Sequence, residues 1–126
     1  MTEATRSLVL RHWALANARD WDTFAELLHP GLSYEVPQTR EYIEGGPGYL
    51  EMFRTWPGAW QAEIRELVCE TDRAVCIIDF VVGGETMTGI SVFGLDGGRI
   101  ASVTDYWPEP YEPPPRATPL LKRRPA

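Results

Sequence analysis

Two histidines and two cysteines are all that this 126-residue sequence offers to a soft or borderline metal ion. His12 and His29 are too few for a multi-histidine centre. Cys69 and Cys76 form neither a C-x-x-C pair nor any Cys/His ligand spacing, so no metal site is expected. A P-loop, a dinucleotide-binding glycine motif and a G-x-S-x-G elbow are also missing, and no cofactor is expected. Positive charge is scarce: 12 Lys and Arg stand against 18 Asp and Glu, for a net charge of −6. Nucleic acid is a poor partner for such a chain, because phosphates are bound mainly through clustered cations. The one basic cluster, Lys122-Arg123-Arg124, sits at the C-terminus and reads as a solubilising tail. No apolar run approaches the ~18 residues that cross a bilayer. Met1 to Ala14 lacks the apolar core and small-residue cleavage site of a signal peptide. The expectation is a cytoplasmic protein with no membrane partner.

What is present is enough for a core. Apolar residues make up 44% and aromatics 11% of the chain, at a length typical of one domain. We expect a single domain over residues 1–110 and a proline-rich, basic tail over 111–126. The first half has helical spacing. Leu8, His12 and Leu15 form one stripe of a helix from about Glu3 to Ala18, capped by Thr2 or Thr5. Asp20 starts a short second helix, with Trp21, Phe24, Ala25 and Leu28 on its buried face. His29-Pro30-Gly31 is expected to end it. Leu32 to Val36 reads as a strand closed by Pro37, and Gln38 to Glu44 as loop. A third helix holds Tyr49, Leu50, Phe53 and Trp56, with Pro47 near its start.

The second half changes period. Segments 59–70, 73–82, 85–95 and 99–107 are rich in Val, Ile, Thr and aromatics. Thr71-Asp72, Gly83-Gly84 and Gly97-Gly98 separate them as two-residue hairpin turns. An antiparallel meander follows. Turn arithmetic pairs Val82 with Glu85, Asp79 with Thr88 and Ile77 with Ile90. It pairs Asp96 with Arg99, Ile90 with Asp105 and Thr88 with Trp107. Alternation then puts Ile77, Asp79, Val81, Thr88, Ile90, Val92, Val103, Asp105 and Trp107 on one pocket-lining face. Two carboxylates on an apolar face are the sharpest anomaly here. A β-bulge in either hairpin would flip part of that assignment. The opposite face would carry Cys76, Ile78, Phe80, Phe93 and Tyr106, too apolar for water, so a homodimer through it is expected. Cys69 and Cys76 fall diagonally and are expected to be free thiols.

The order of elements resembles the nuclear transport factor 2-like superfamily, and within it the SnoaL-like polyketide cyclases and ketosteroid isomerases. Three segments carry the likeness: Trp21-Asp22-Thr23-Phe24 through Val36-Pro37, the Gly45 loop into the third helix, and Gly98-Arg99-Ile100 through Asp105-Tyr106-Trp107. The resemblance implies an α+β fold, a cone-shaped α+β barrel with three N-terminal helices packed on a strongly curved antiparallel sheet. It also implies a pocket for a small apolar molecule. It does not specify a reaction. Where the isomerases carry their general-base Asp, this chain has Val36, which takes no proton. Their oxyanion-hole Tyr matches His12, and their neutral Asp falls at Ile90 or Ser91. In SnoaL-like cyclases a late-strand carboxyl is the acid/base, and Asp105 is its counterpart, with Asp79 second.

The expected function is therefore cofactor-free acid/base chemistry on an apolar, carbonyl-containing or cyclic substrate. Its alternative is a non-catalytic binding or dimerising domain. The catalytic candidates are Asp105, Asp79 and His12. Tyr34, Trp107, Trp56, Val36 and Ile90 are the substrate-binding candidates. A carboxyl on an apolar face has a raised pKa and can exchange protons near neutrality. Asp79 and Asp105 are equally compatible with structural hydrogen bonding.

Overall fold

Residues 2–125 are described by a computed structural model; Met1 and Ala126, the ends of the expected domain and tail, lie outside them. Helix α1 (Thr2–Ala18) turns its Leu8, Val9, His12, Trp13 and Ala16 stripe inward. Thr5, expected as a cap, is instead buried within α1 and donates its hydroxyl to the Thr71 carbonyl. Arg19 ends the helix at φ 60°. That left-handed residue lets its amide and that of Asp20 reach the Ala16 and Leu15 carbonyls. Asp20 then caps α2 (Trp21–Glu26) by accepting from the Thr23 amide.

Strand β1 (Leu28–Val36) begins earlier than expected. His29-Pro30-Gly31 does not stop a helix but forms an irregular stretch within β1, where the register shifts between Leu28 and Ser33. Proline is tolerated there because no ladder bond is required of its nitrogen. The segment expected as loop contains strand β2 (Glu41–Glu44), which pairs antiparallel with β1. Helix α3 (Gly46–Thr55) follows directly. A side chain at Gly46 would meet the His29 carbonyl oxygen at 2.8 Å, so only glycine lets α3 pack this closely on β1.

The remaining strands are β3 (Gln61–Cys69), β4 (Arg73–Val82), β5 (Glu85–Asp96) and β6 (Arg99–Tyr106). Together they make one curved, unclosed six-stranded sheet in the order β2-β1-β6-β5-β4-β3. The expected barrel is thus open, with β2 and β3 as free edges. It is also not wholly antiparallel, since β1 runs parallel to β6. The helices cover one face of the sheet.

The meander pairs as its turns dictate. Val82 faces Glu85, Asp79 faces Thr88 and Ile77 faces Ile90. Cys69 faces Ala74, and both cysteines are free. Beyond Gly94 the ladder slips: Gly94 faces Ser102, yet Leu95 faces Ile100, which leaves Ala101 extra. Asp105 therefore opposes Ser91, and Ile90 opposes Tyr106. The expected pairs Ile90–Asp105 and Thr88–Trp107 are corrected by this one bulge.

The face assignment of β4 and β5 is reversed too. Ala74, Cys76, Ile78 and Phe80 are buried under the helices, as are Ser91 and Phe93. Asp79 and Ile90 consequently lie on the outer face. Both alternating rows of β4 are apolar, so its sequence did not say which row the helices would cover. The expected dimer surface of Cys76, Ile78, Phe80 and Phe93 is in fact core.

Candidate active site around Asp105

Asp105 lies near the end of β6 and is only 6% exposed. Both carboxyl oxygens are engaged by hydroxyls from neighbouring strands. Tyr34 of β1 donates to Oδ2 at 2.7 Å, and Ser91 of β5 donates to Oδ1 at 2.6 Å. No basic side chain pairs with it among the described residues. Burial pushes its pKa above the ordinary carboxylate range, while the Ser91 and Tyr34 bonds pull the other way. Burial, with the neighbouring Asp105 charge, also raises Tyr34 well beyond the usual phenol range. Tyr34 is therefore a neutral donor rather than a phenolate.

A second polar pair adjoins the first. His12 Nε2 lies 2.7 Å from the Tyr49 hydroxyl of α3. The Tyr34 and Tyr49 rings approach to 5.4 Å between centroids. His12 is fully buried against Trp13, Phe24, Phe53 and Phe93. Burial lowers its pKa from 6.5 to about 3, and its Nδ1 has no hydrogen-bond partner among the described residues. The imidazole is thus neutral at physiological pH. Its expected inward position holds, but as a member of the aromatic core bonded to Tyr49, not to Asp105.

A pH signature follows from His12. Its folded pKa is depressed, so unfolding takes up a proton below the unfolded value near 6.5. Stability falls by roughly 2–3 kcal/mol between neutrality and pH 4.5 on this account. Asp105 opposes the trend, because its raised pKa favours the folded state at low pH. An Asp105→Asn background isolates the His12 contribution, read by urea unfolding at a series of pH values. The His12 imidazole signal should not move between about pH 8 and 5 in an NMR titration.

Trp107 stands two residues beyond Asp105 and packs edge-on against Phe80 at 5.5 Å. Gln38 fixes its backbone, accepting from the Trp107 amide at 2.6 Å and donating to its carbonyl at 3.0 Å. Gly89 leaves room for the indole: a Cβ there would stand 2.9 Å from Cζ3 and 3.1 Å from Cη2. Gly89→Ala should push the ring away from Phe80 and cost about 1–3 kcal/mol. Chemical denaturation measures that cost, and the Trp107 indole N–H resonance reports the displacement.

The other candidates divide. Val36 is buried beside Tyr34's strand end, and Trp56, at 48% exposure, stands at the surface after α3. Asp79 does not join the cluster. It faces outward and lies 3.4 Å from the Arg65 guanidinium, a partly exposed pair. Ile90 likewise shares the outer face. Two residues outside the candidate set belong to the cluster: Ser91 and Tyr49. Ser91 was one of two positions left open by the resemblance, and the bulge past Gly94 sets it opposite Asp105. Tyr49 carried only a core-helix signal. An open groove of about 500 Å³ lies at the opposite end of β6, lined by Thr5, Arg11, Asp72 and Asp96 among others, and shares no residue with this cluster. No group of three or more His, Cys, Asp or Glu suited to a metal occurs among the described residues.

This arrangement of helices over a half-open sheet has relatives. Residues 9–103 match the model of the SnoaL-like domain. The chain belongs to the SnoaL-like family. A candidate ketosteroid isomerase from Kribbella flavida is 38% identical, with a TM-score of 0.91 over 99% of this chain and 93% of that one. Two other structures share the fold at lower identity. An LEH-like epoxide hydrolase from M. tuberculosis is 20% identical, with a TM-score of 0.72 over 85% of this chain and 84% of its own. A candidate polyketide cyclase from Sinorhizobium meliloti is 19% identical, with a TM-score of 0.70 over 79% and 93%. No curated protein matches the sequence. No helix among the described residues is long and apolar enough to cross a membrane.

Proposed function

We propose that this SnoaL-like protein is a cofactor-free acid/base enzyme, cytoplasmic in setting, in which Asp105 moves the proton. The supporting observation is a carboxyl that is buried, unpaired by any cation among the described residues and held by two neutral hydroxyls. Burial raises the pKa of such a group, which makes it a better proton donor and acceptor partner than an exposed carboxylate. Tyr34 and Ser91 fix the carboxyl plane, each giving it the one proton its hydroxyl has to donate. Val36, Trp107 and Trp56 offer apolar and aromatic surface, suited to a flat, carbonyl-containing or cyclic molecule. His12, neutral and bonded to Tyr49, orients that phenol and takes no proton itself. Asp79 is left out of the mechanism, because the sheet separates it from Asp105.

The test is hydrogen–deuterium exchange at carbons next to a carbonyl, followed by NMR across a panel of cyclic ketones and enones. The reading expects exchange with at least one class and its loss in Asp105→Asn. Binding of such ligands with no turnover in either protein would instead support the binding-domain alternative. The full pairing of both Asp105 oxygens is the observation that favours that second reading.

A further inference from the structure

The last strand and the tail meet at Trp107. Strand β6 ends at Tyr106, and Pro108 opens a segment with no helix or strand of its own. Trp107 stands where the backbone ladder has run out, and Pro108 has no N–H to continue it. The neighbouring strand has left as well: β1 ends at Val36, and Pro37 begins the turn into β2. Glu35 is level with Thr104 in the parallel pair, so Gln38 and Trp107, each three residues further on, emerge side by side. There a side chain takes over from the main chain. The Gln38 amide oxygen accepts from the Trp107 N–H at 2.6 Å, and its amide nitrogen donates to the Trp107 carbonyl at 3.0 Å. One planar amide thus supplies the donor and the acceptor of a missing peptide group. The Trp107 backbone dictates which end of that amide faces which of its atoms.

The consequence falls on the indole. Trp107 lies two residues beyond Asp105, on the same side of β6, and is half-buried. Phe80 and Gly89 seat one part of the ring and leave the rest open. We propose that Gln38 is a positioning residue for ligand selection. It keeps Trp107 in the domain rather than the tail, as a fixed flat wall near Asp105 that favours planar rings over puckered ones. This rests on the reading of Trp107 as part of the ligand surface. A wall already in place costs a ligand less to dock on than one that must be ordered on binding. Stacking favours planarity, because a flat ring keeps all its atoms against the indole and a puckered ring lifts some away. Gln38 bonds to neither Asp105 nor its hydroxyl partners. Its removal should therefore raise KM rather than lower kcat.

Two ketones test this on the full chain: 1-indanone, a planar bicycle, and cyclohexanone, a puckered ring. Binding is read by ligand-observed NMR, with the Trp107 indole N–H resonance as a second readout. Wild type should bind 1-indanone the more tightly. Gln38→Leu keeps much of the side-chain bulk and removes both bonds. It should weaken 1-indanone about three- to tenfold and leave cyclohexanone within about twofold. Its Trp107 indole signal should move toward the unfolded position before any ligand is added. In a Trp107→Ala background the same substitution should have no further effect, because the two residues act as one unit. Thr39→Val removes a 2.6 Å bond to Glu41 in the same turn and should bind like wild type. Gln38 and Thr39 are exposed, so far-UV circular dichroism should be unchanged. Equal affinity of wild type and Gln38→Leu for 1-indanone overturns the proposal. So does a loss that persists without Trp107, or a wild type that binds neither ketone. Affinity is read without turnover. A protein that binds 1-indanone selectively through Gln38 and Trp107 yet exchanges no proton would sink the acid/base reading and leave this one standing.

Discussion

Asp105→Asn should remove at least ~10²-fold of any proton-transfer activity, the usual contribution of a positioned acid or base, while the protein stays folded. The two effects separate because asparagine keeps the shape. Its amide oxygen still accepts from Ser91. Its amide nitrogen can donate to the Tyr34 oxygen, since a phenol accepts as readily as it donates. The proton equilibrium is what disappears. The stability consequence has a definite sign. Asp105 is buried and its folded pKa is raised, so the folded state binds the proton more tightly than the unfolded one. Stability from this group is fully present below the unfolded value near 3.9 and is lost as pH rises through the folded value. The asparagine variant escapes that loss. It should match or exceed wild-type melting temperature at pH 8 and lose the advantage toward pH 4. A variant that is inactive yet no less stable at pH 8 assigns the carboxyl to chemistry. Equal activity of variant and wild type would remove Asp105 from the mechanism.

The second large effect is structural. Trp60→Ala should cost about 3–5 kcal/mol, in the range of buried aromatic truncations, and lower the melting temperature by roughly 10–20 °C. Trp60 is 1% exposed, stacks on Phe80 at 5.5 Å and 22°, and touches Phe53. The Arg19 guanidinium sits 3.9 Å above its ring and donates to its carbonyl at 2.6 Å. Arg19 is also the left-handed residue that ends α1. Losing the indole therefore opens a cavity and frees the cation that ties the α1 terminus to the start of β3. Trp60→Phe should recover more than half of the loss, because it refills most of the volume without restoring the cation–π partner at full strength. Calorimetry of the three proteins measures both steps.

Trp60 shows how a core residue can be legible by type and not by role. Its aromatic character placed it inside, but nothing local announced that Arg19, 41 positions away, would cover it. Asp105 is the converse. Its anomaly was legible as a carboxyl amid Val103 and Trp107, and it is indeed buried. The partner set was not legible. Turn arithmetic gave the β4–β5 pairs correctly, because a two-residue Gly-Gly turn fixes register. It failed across β5–β6, where one extra residue at Ala101 shifts the ladder. With the shift, Ser91 faces Asp105 and Asp79 is left outside beside Arg65. A bulge leaves little trace in composition, since any small residue can be the unpaired one.

The sequence by itself determined the helix-then-meander order, the hairpin turns, the free thiols and the family, because these depend on local spacing and on residue types. Only the tertiary structure decided which apolar row of β4 and β5 the helices cover. Two rows of similar hydrophobicity are energetically equivalent until α1 and α3 choose between them. It also decided that β1 runs parallel to β6, bringing Tyr34 to Asp105 across 71 residues of chain. No local pattern encodes such a pairing, since its free energy comes from burial shared by the whole sheet.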